Sequence, residues 1–363
     1  MAQALRLVYS HHYLQNLASK ITAVNATFPQ NDFIQAVMQK DWDELALKAR
    51  MGRITQVLRQ TLPADYSEAV HILKSASEHF SGYAAMFFPD FVALYGLNDW
   101  DTSLPALAYF TQFSSSEFAV RPFILKDPER MMAQMLRWST HENAHIRRLA
   151  SEGCRPRLPW AQALPEFKQD PTPILPILKN LLQDNALYVR KSVANNLNDI
   201  AKDHPELVLG WVEEELGKHH HSDWILKHGS RTLLKQAHPR ALALFSLGSI
   251  EHIELPLFEL GNHEVAIGER LPFRFLLKSR TGKLGKLRIE YAIHFVKADG
   301  KTRRKVFKVS ENDFADAEKQ YDKYHSLKQM STRKHYPGEH KLELIVNGNV
   351  LAERPFYLTQ EKC

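Results

Sequence analysis

Cysteine is scarce in this chain: Cys154 and Cys363 are the two among 363 residues. Two thiols make neither a disulfide framework nor a Cys-rich zinc site, and they agree with a reducing compartment. Long apolar runs are missing too, since none approaches the ~20 residues a membrane-spanning helix needs. The opening "MAQALRLVYSHHYLQN" has neither the apolar core nor the small-residue cleavage site of a signal peptide, so a cytoplasmic location is expected. Tryptophan is absent after Trp224, although six precede or include that position. The two ends of the chain therefore differ in character. What remains, 44% hydrophobic and 24% charged residues, is a soluble globular composition long enough for two or three domains, and it excludes a disordered chain.

Charge is unevenly placed. From Arg270 to Ser310 there are 13 Lys and Arg against Glu290 and Asp299, so this segment carries +11 while the rest of the chain sums to −5. Such a segment reads equally as a footprint for nucleic acid or as a solvated basic face.

Up to about residue 250 the pattern is helical, with apolar spacings of three and four in "FIQAVMQKDWDELALKARMGRITQVLRQTL" and "PILPILKNLLQ". The last hundred or so residues change period. In "LRIEYAIHFV", Leu287, Ile289, Tyr291, Ile293 and Phe295 share one face, and Asn347-Gly348 marks a hairpin between alternating runs. The expected fold is an all-α helical-repeat, HEAT-like solenoid over residues 1–248. An all-β immunoglobulin-like sandwich over 249–363 follows it, without the paired Cys and Trp of antibody domains.

Weak internal repetition supports the solenoid. Ile146-Arg147-Arg148 aligns with Val189-Arg190-Lys191 at an offset of 43, and Tyr188-Val189 with Trp224-Ile225 at 36. Each copy would open the second helix of a pair, after a loop carrying Asp184 in one copy and Asp223 in another. Stacked columns then hold Arg148, Lys191 and Lys227; Glu152, Asn195 and Arg231; and Pro156, Asp199 and Lys235. This polar strip, with two carboxylates among cations and Trp160, Tyr188 and Trp224 beside it, suits a concave surface holding a phosphate backbone.

The run "LRWSTHENAHIRRLASEGCRPRLPW" also satisfies the zinc-peptidase pattern at His141, Glu142 and His145. That chemistry needs both histidines one turn apart on a continuous helix and a third ligand. No third ligand is evident, five arginines crowd the stretch, and Ser139 with Glu142 reads as a capping box opening a helix at Ser139. Ser114 and Glu117 read as a second such box. A non-catalytic module binding nucleic acid or protein is the other alternative, and it shares the basic surface.

The stretches "RWSTHENAHIRRLASEGCRPRLPW", "DNALYVRKSVANNLNDIAKDHPELV" and "DWILKHGSRTLLKQAHPRALAL" resemble the AlkC branch of the HEAT-repeat DNA alkylation repair glycosylases. The basic β domain is similar to the immunoglobulin-like domain carried by some members. The resemblance implies a monofunctional alkylpurine DNA glycosylase in base excision repair, hydrolysing the N-glycosidic bond of cationic alkylated bases. These are chiefly 3-methyladenine, with 3-methylcytosine a further candidate, and the base is not swung into a deep pocket. It implies Glu117, Glu152 and Asp199 as active-site carboxylates, with Arg148 and Trp160 lining the same site. Arg148, Arg155, Arg157, Lys191, Lys227 and Arg231 would hold phosphates of double-stranded DNA, and Arg333 and Lys334 would touch the duplex from the β domain. No metal or cofactor is required, and a monomer suffices.

Overall fold

A computed structural model describes residues 5–329 and 334–360. Sixteen α-helices among these residues lead into eight β-strands, β1 (Ile253–Leu260), β2 (Glu264–Ala266), β3 (Arg270–Ser279), β4 (Gly285–Val296), β5 (Thr302–Phe314), β6 (Glu318–Ser326), β7 (Gly338–Val346) and β8 (Asn349–Thr359). This is a helical repeat followed by an immunoglobulin-like β domain, as the change of period predicts. No helix among the described residues is long and apolar enough to cross a membrane.

The 43-residue offset is built into the turns. Arg147 Nη1 donates to the carbonyls of His141 (2.9 Å) and Glu142 (2.6 Å), and 43 residues on, Arg190 Nη1 donates to those of Asp184 (2.8 Å) and Asn185 (2.8 Å). His141 Nδ1 accepts from the Asn143 amide, as Asp184 Oδ1 accepts from that of Ala186. Both turns are thus closed by an accepting side chain and clamped by the arginine one turn into the next helix. Ile146, Val189 and Ile225, the apolar members of the alignment, are all buried. Asp223 departs from expectation: it lies inside the helix His220–Gly229, where its carboxylate accepts from the Gly217 amide.

Both expected capping boxes fail to form. Ser139 ends the helix Pro128–Trp138, its hydroxyl donating to the Leu136 carbonyl, while Asn143 caps the next helix by accepting from the His145 amide at 2.8 Å. The side chain with the shorter reach to a free amide wins the cap. Ser114 Oγ donates to the Gly82 carbonyl instead, which leaves Glu117 available for other partners.

The chain divides into two compact units between Gly229 and Ser230. The expected boundary after residue 248 follows the change from helix to strand, but packing joins the helices Arg231–Lys235 and Pro239–Leu244 to the strands. A Cβ on Gly348 would lie 2.6 Å from Ala237 Cβ and 3.0 Å from Leu242 Cδ1, and Asn347 Nδ2 donates to the Gly248 carbonyl. Asn347 and Gly348 both have positive φ, 45° and 80°, which is the two-residue turn that Asn-Gly favours.

In this second unit one sheet runs β1-β3-β6 and the other β2-β8-β7-β4-β5. Leu287, Ile289 and Ile293 of β4 enter the core between them, with Tyr291 and Phe295 packed against it. The opposite face of β4 is not solvated as strict alternation implies. Arg288 and Glu290 are buried there, paired with each other at 2.6 Å, and Arg288 also reaches Glu311 at 2.8 Å.

Candidate active site

Two helices of adjacent repeats, Ala144–Gly153 and Leu187–Ile200, meet through small and polar side chains. Ser151 and Ser192 hydroxyls are 2.7 Å apart, and Asn196 Nδ2 donates to the Ser151 carbonyl at 2.8 Å. A Cβ on Gly153 would lie 2.6 Å from Val120 Cγ2, so only glycine lets that helix end come so close to its neighbour. These contacts fix the register that brings Glu152 toward Asp199.

The result is a string of alternating charge. Glu117 accepts from Arg148; Arg148 Nη2 lies 3.6 Å from Glu152 Oε1; Arg155 Nη1 donates to that oxygen at 2.6 Å; and Arg155 Nε reaches Asp199 Oδ2 at 2.9 Å. Lys202 Nζ closes the string on Asp199 Oδ1 at 2.9 Å. Ser115 steadies its other end, donating to Glu117 at 2.7 Å and accepting from Arg148 at 2.9 Å. Glu152 and Asp199 are buried, while the Glu117 side chain keeps 15% of its surface exposed. Each of these carboxylates touches a cation, which offsets the cost of taking it out of water.

Not every oxygen is used. Asp199 has both occupied, whereas among the described residues Glu117 Oε1 and Glu152 Oε2 accept no hydrogen bond. Those two oxygens are available to a ligand.

The arginines divide by task. Burial works against the charge of Arg155, but Glu152 and Asp199 outweigh it and push its pKa up. It is a brace between two carboxylates rather than the open phosphate ligand expected from sequence. Arg157 is joined to Asp203, whose carboxyl that hydrogen bond holds below its usual range. Arg148 lies under the Tyr188 ring at 5.1 Å. Tyr188 is itself pushed above its ordinary value by burial, with Glu117 and Glu152 adding to the shift against the opposing pull of Arg148. Lys191 is exposed and Lys227 half-buried in the helical unit. Arg231 and the exposed Lys334 belong to the other unit, and Arg333 lies outside the described residues.

After Gly153 the chain loops through Pro156 and Pro159 to Trp160, an indole 72% exposed on a backbone with φ of 66°. For a non-glycine residue this left-handed conformation costs about 1–2 kcal/mol. The loop is held from inside by Arg121, a fully buried guanidinium in the stretch "FAVRPF". Its Nη1 donates to the carbonyls of Gly153 and Arg155 (both 2.9 Å), and its Nε to that of Gln162 at 2.6 Å. Burial pulls its pKa down to about 10. Cys154 starts the loop, buried, its thiol pushed up to about 12 by desolvation. Arg121, Ser115 and Lys202 escaped the sequence reading because carbonyl partners and short cross-loop bonds leave no spacing pattern.

The zinc-peptidase geometry is absent. His141 lies in the turn before the helix that starts at Ala144, so it and His145 do not share a continuous helix, and the His145 ring packs edge-on against Tyr188. Among the described residues, the three-ligand group close enough to hold a metal is His219, His220 and His221, away from this motif.

A helical repeat followed by an immunoglobulin-like domain is the combination that comparison finds among DNA alkylation repair enzymes. Residues 98–234 match the family model of the DNA alkylation repair enzyme, and 254–360 match that of the YhaZ C-terminal Ig-like domain. The chain is 48% identical to the uncharacterised protein YhaZ of Bacillus subtilis (strain 168), over 95% of its own length and 97% of the relative's. It also superposes with a TM-score of 0.93 on the Pseudomonas fluorescens alkylpurine DNA glycosylase AlkC bound to DNA containing an abasic site analog. That match is at 39% identity and covers 98% of this chain and 99% of the other. The chain belongs to the AlkC family of alkylpurine DNA glycosylases.

Proposed function

We propose that this glycosylase is monofunctional and acts on double-stranded DNA carrying cationic alkylated bases, 3-methyladenine first and 3-methylcytosine second, without swinging the base into a deep pocket. The observation that carries the reading is the string Glu117–Arg148–Glu152–Arg155–Asp199, whose Glu152 and Arg155 lead into the loop that bears the exposed Trp160. N3-methylation leaves the base positively charged, so it departs neutral and needs no general acid. The sugar then develops oxocarbenium character, which carboxylates stabilise while one of them orients or deprotonates water. Glu117 and Glu152, each with an uncommitted oxygen, suit contact with sugar or water, and Asp199 sets the field behind them. An indole face adds cation–π attraction for the charged base. No Schiff base is needed, so no lyase activity accompanies excision.

Arg148, Lys191 and Lys227, with Arg231 and Lys334 of the second unit, are proposed phosphate contacts, and Arg157 joins them if Asp203 releases it. The test is base release from methylated duplex DNA, with products identified by mass and a chelator present. We expect free 3-methyladenine and no strand nicking. DNA binding with a steep salt dependence but no released base would leave only a non-catalytic binding module.

A further inference from the structure

We propose that Lys48 is a positioning residue, holding Trp160 in its outward, left-handed conformation so that the N-terminal helices take part in building the DNA-facing surface. The inference rests on the reading that Trp160 faces the lesion.

Trp160 needs a restraint. A non-glycine residue at φ of 66° with its indole 72% exposed has lost backbone comfort without gaining burial, and such geometry persists only where neighbours over-determine it. Arg121 fixes the loop at Gly153, Arg155 and Gln162, but makes no bond to the segment between Pro156 and Ala161. Arg157 ties the segment to Asp203, and Leu164 and Ala161 donate to the Pro156 and Leu158 carbonyls, but the contact on Trp160 itself comes from another part of the chain. Lys48, in the first turn of the helix Leu47–Thr61, donates its ammonium to the Trp160 carbonyl across 112 residues of sequence.

Lys48 is exposed, and its ammonium has a second neighbour besides the Trp160 carbonyl. It lies 5.1 Å over the Phe118 ring, next to Glu117 in sequence, and its charge acts on the half-buried carboxyl of Asp90, which accepts from Thr55 Oγ1 at 2.9 Å. Lys48 therefore links Trp160 to the residue adjoining the first carboxylate of the string. It also lies before residue 98, outside the stretch that matches the alkylation repair model. This contact gives the leading helices a part in the site.

A lysine at this place could instead touch DNA phosphate, and the two roles separate cleanly. Six proteins are compared: the parent, Lys48→Met, Lys48→Arg, Trp160→Ala, and the Lys48→Met/Trp160→Ala and Lys48→Arg/Trp160→Ala double variants. Three quantities are read. They are acrylamide quenching of the Trp160 emission (each protein less its Trp160→Ala counterpart), affinity for a duplex containing an abasic-site analogue at several salt concentrations, and single-turnover release of 3-methyladenine. We expect Lys48→Met to change Trp160 quenching in the free protein and to slow single-turnover release about tenfold, as a misplaced contact does. Lys48→Arg restores both, and in the Trp160→Ala background Lys48→Met adds nothing. Unchanged Trp160 quenching in Lys48→Met overturns the proposal. So do effects of Lys48→Met and Trp160→Ala that multiply in the double variant with a reduced salt slope, which mark Lys48 as a phosphate contact. If the parent releases no base, the catalytic reading falls while quenching and the binding cycle still decide whether Lys48 holds Trp160.

Discussion

The helical and β units both bury arginine among carboxylates, yet to different ends. In the helical unit the partners are far apart in sequence, Arg155 with Asp199 and Arg148 with Glu117, and two carboxylate oxygens stay uncommitted. In the β unit the pairs form within the two sheets. Arg288 joins Glu290 and Glu311, Arg304 joins Glu343, Lys308 joins Glu311, and Arg274 and Arg280 reach Glu259 and Glu254 on β1. At least five of the 13 cations that make residues 270–310 look so basic are therefore matched by acids, all five through carboxylates outside that segment and Arg288 also through Glu290. A charge count overstates a binding face where strands deliver the counter-ions. It understates a site where the charges nearly cancel but one edge is left open.

The largest way to break this contrast is Arg155→Met. Removing the brace leaves buried Glu152 with Arg148 at 3.6 Å and Asp199 with Lys202 alone, and denaturant unfolding should show a loss of about 3 kcal/mol. A loss under 1 kcal/mol would mean water reaches the pair and the string is not a buried network. Next come Glu152→Gln and Asp199→Asn, each expected to cut single-turnover excision by about 10²-fold while duplex binding persists, the scale of one lost electrostatic stabiliser. Full activity in both would place the chemistry elsewhere.

The β unit should respond to acid through His340. Its imidazole is buried, Nε2 donating to the Tyr336 carbonyl at 3.0 Å, and desolvation holds its pKa below the ordinary 6.5. The folded state then binds this proton less readily than the unfolded chain. The stability it confers is complete above pH 6.5 and falls as pH drops through 6.5 toward the lower folded value. Melts of the parent and of His340→Phe, compared between about pH 7.5 and about pH 5.5, should show the steeper fall in the parent. Equal slopes would remove His340 from the account. Smallest of all, Arg274→Ala should leave the melting midpoint unchanged, because both members of its pair with Glu259 are more than half exposed.

Much of this was legible in sequence for a physical reason: periodicity records which face is buried. The two domains, the Asn347-Gly348 hairpin and the offset between Arg147 and Arg190 all rest on such patterns. Capping was misread at Ser139 and Ser114, because a serine near a helix start competes with other local acceptors and donors, and Asn143 won one of those contests. The residues that shape the loop around Trp160 were invisible. Arg121 and Lys48 bond to carbonyls, which every residue possesses, so nothing in the partner's identity betrays the contact.

Cys154 carries a last consequence. Alkylating agents attack thiolates as readily as they attack DNA bases, and a repair enzyme works where such agents are present. Burial pushes this thiol's pKa up, away from the reactive thiolate, and no solvent reaches it. The loop that carries the site thus begins at a cysteine protected from the chemistry that creates the enzyme's own substrates.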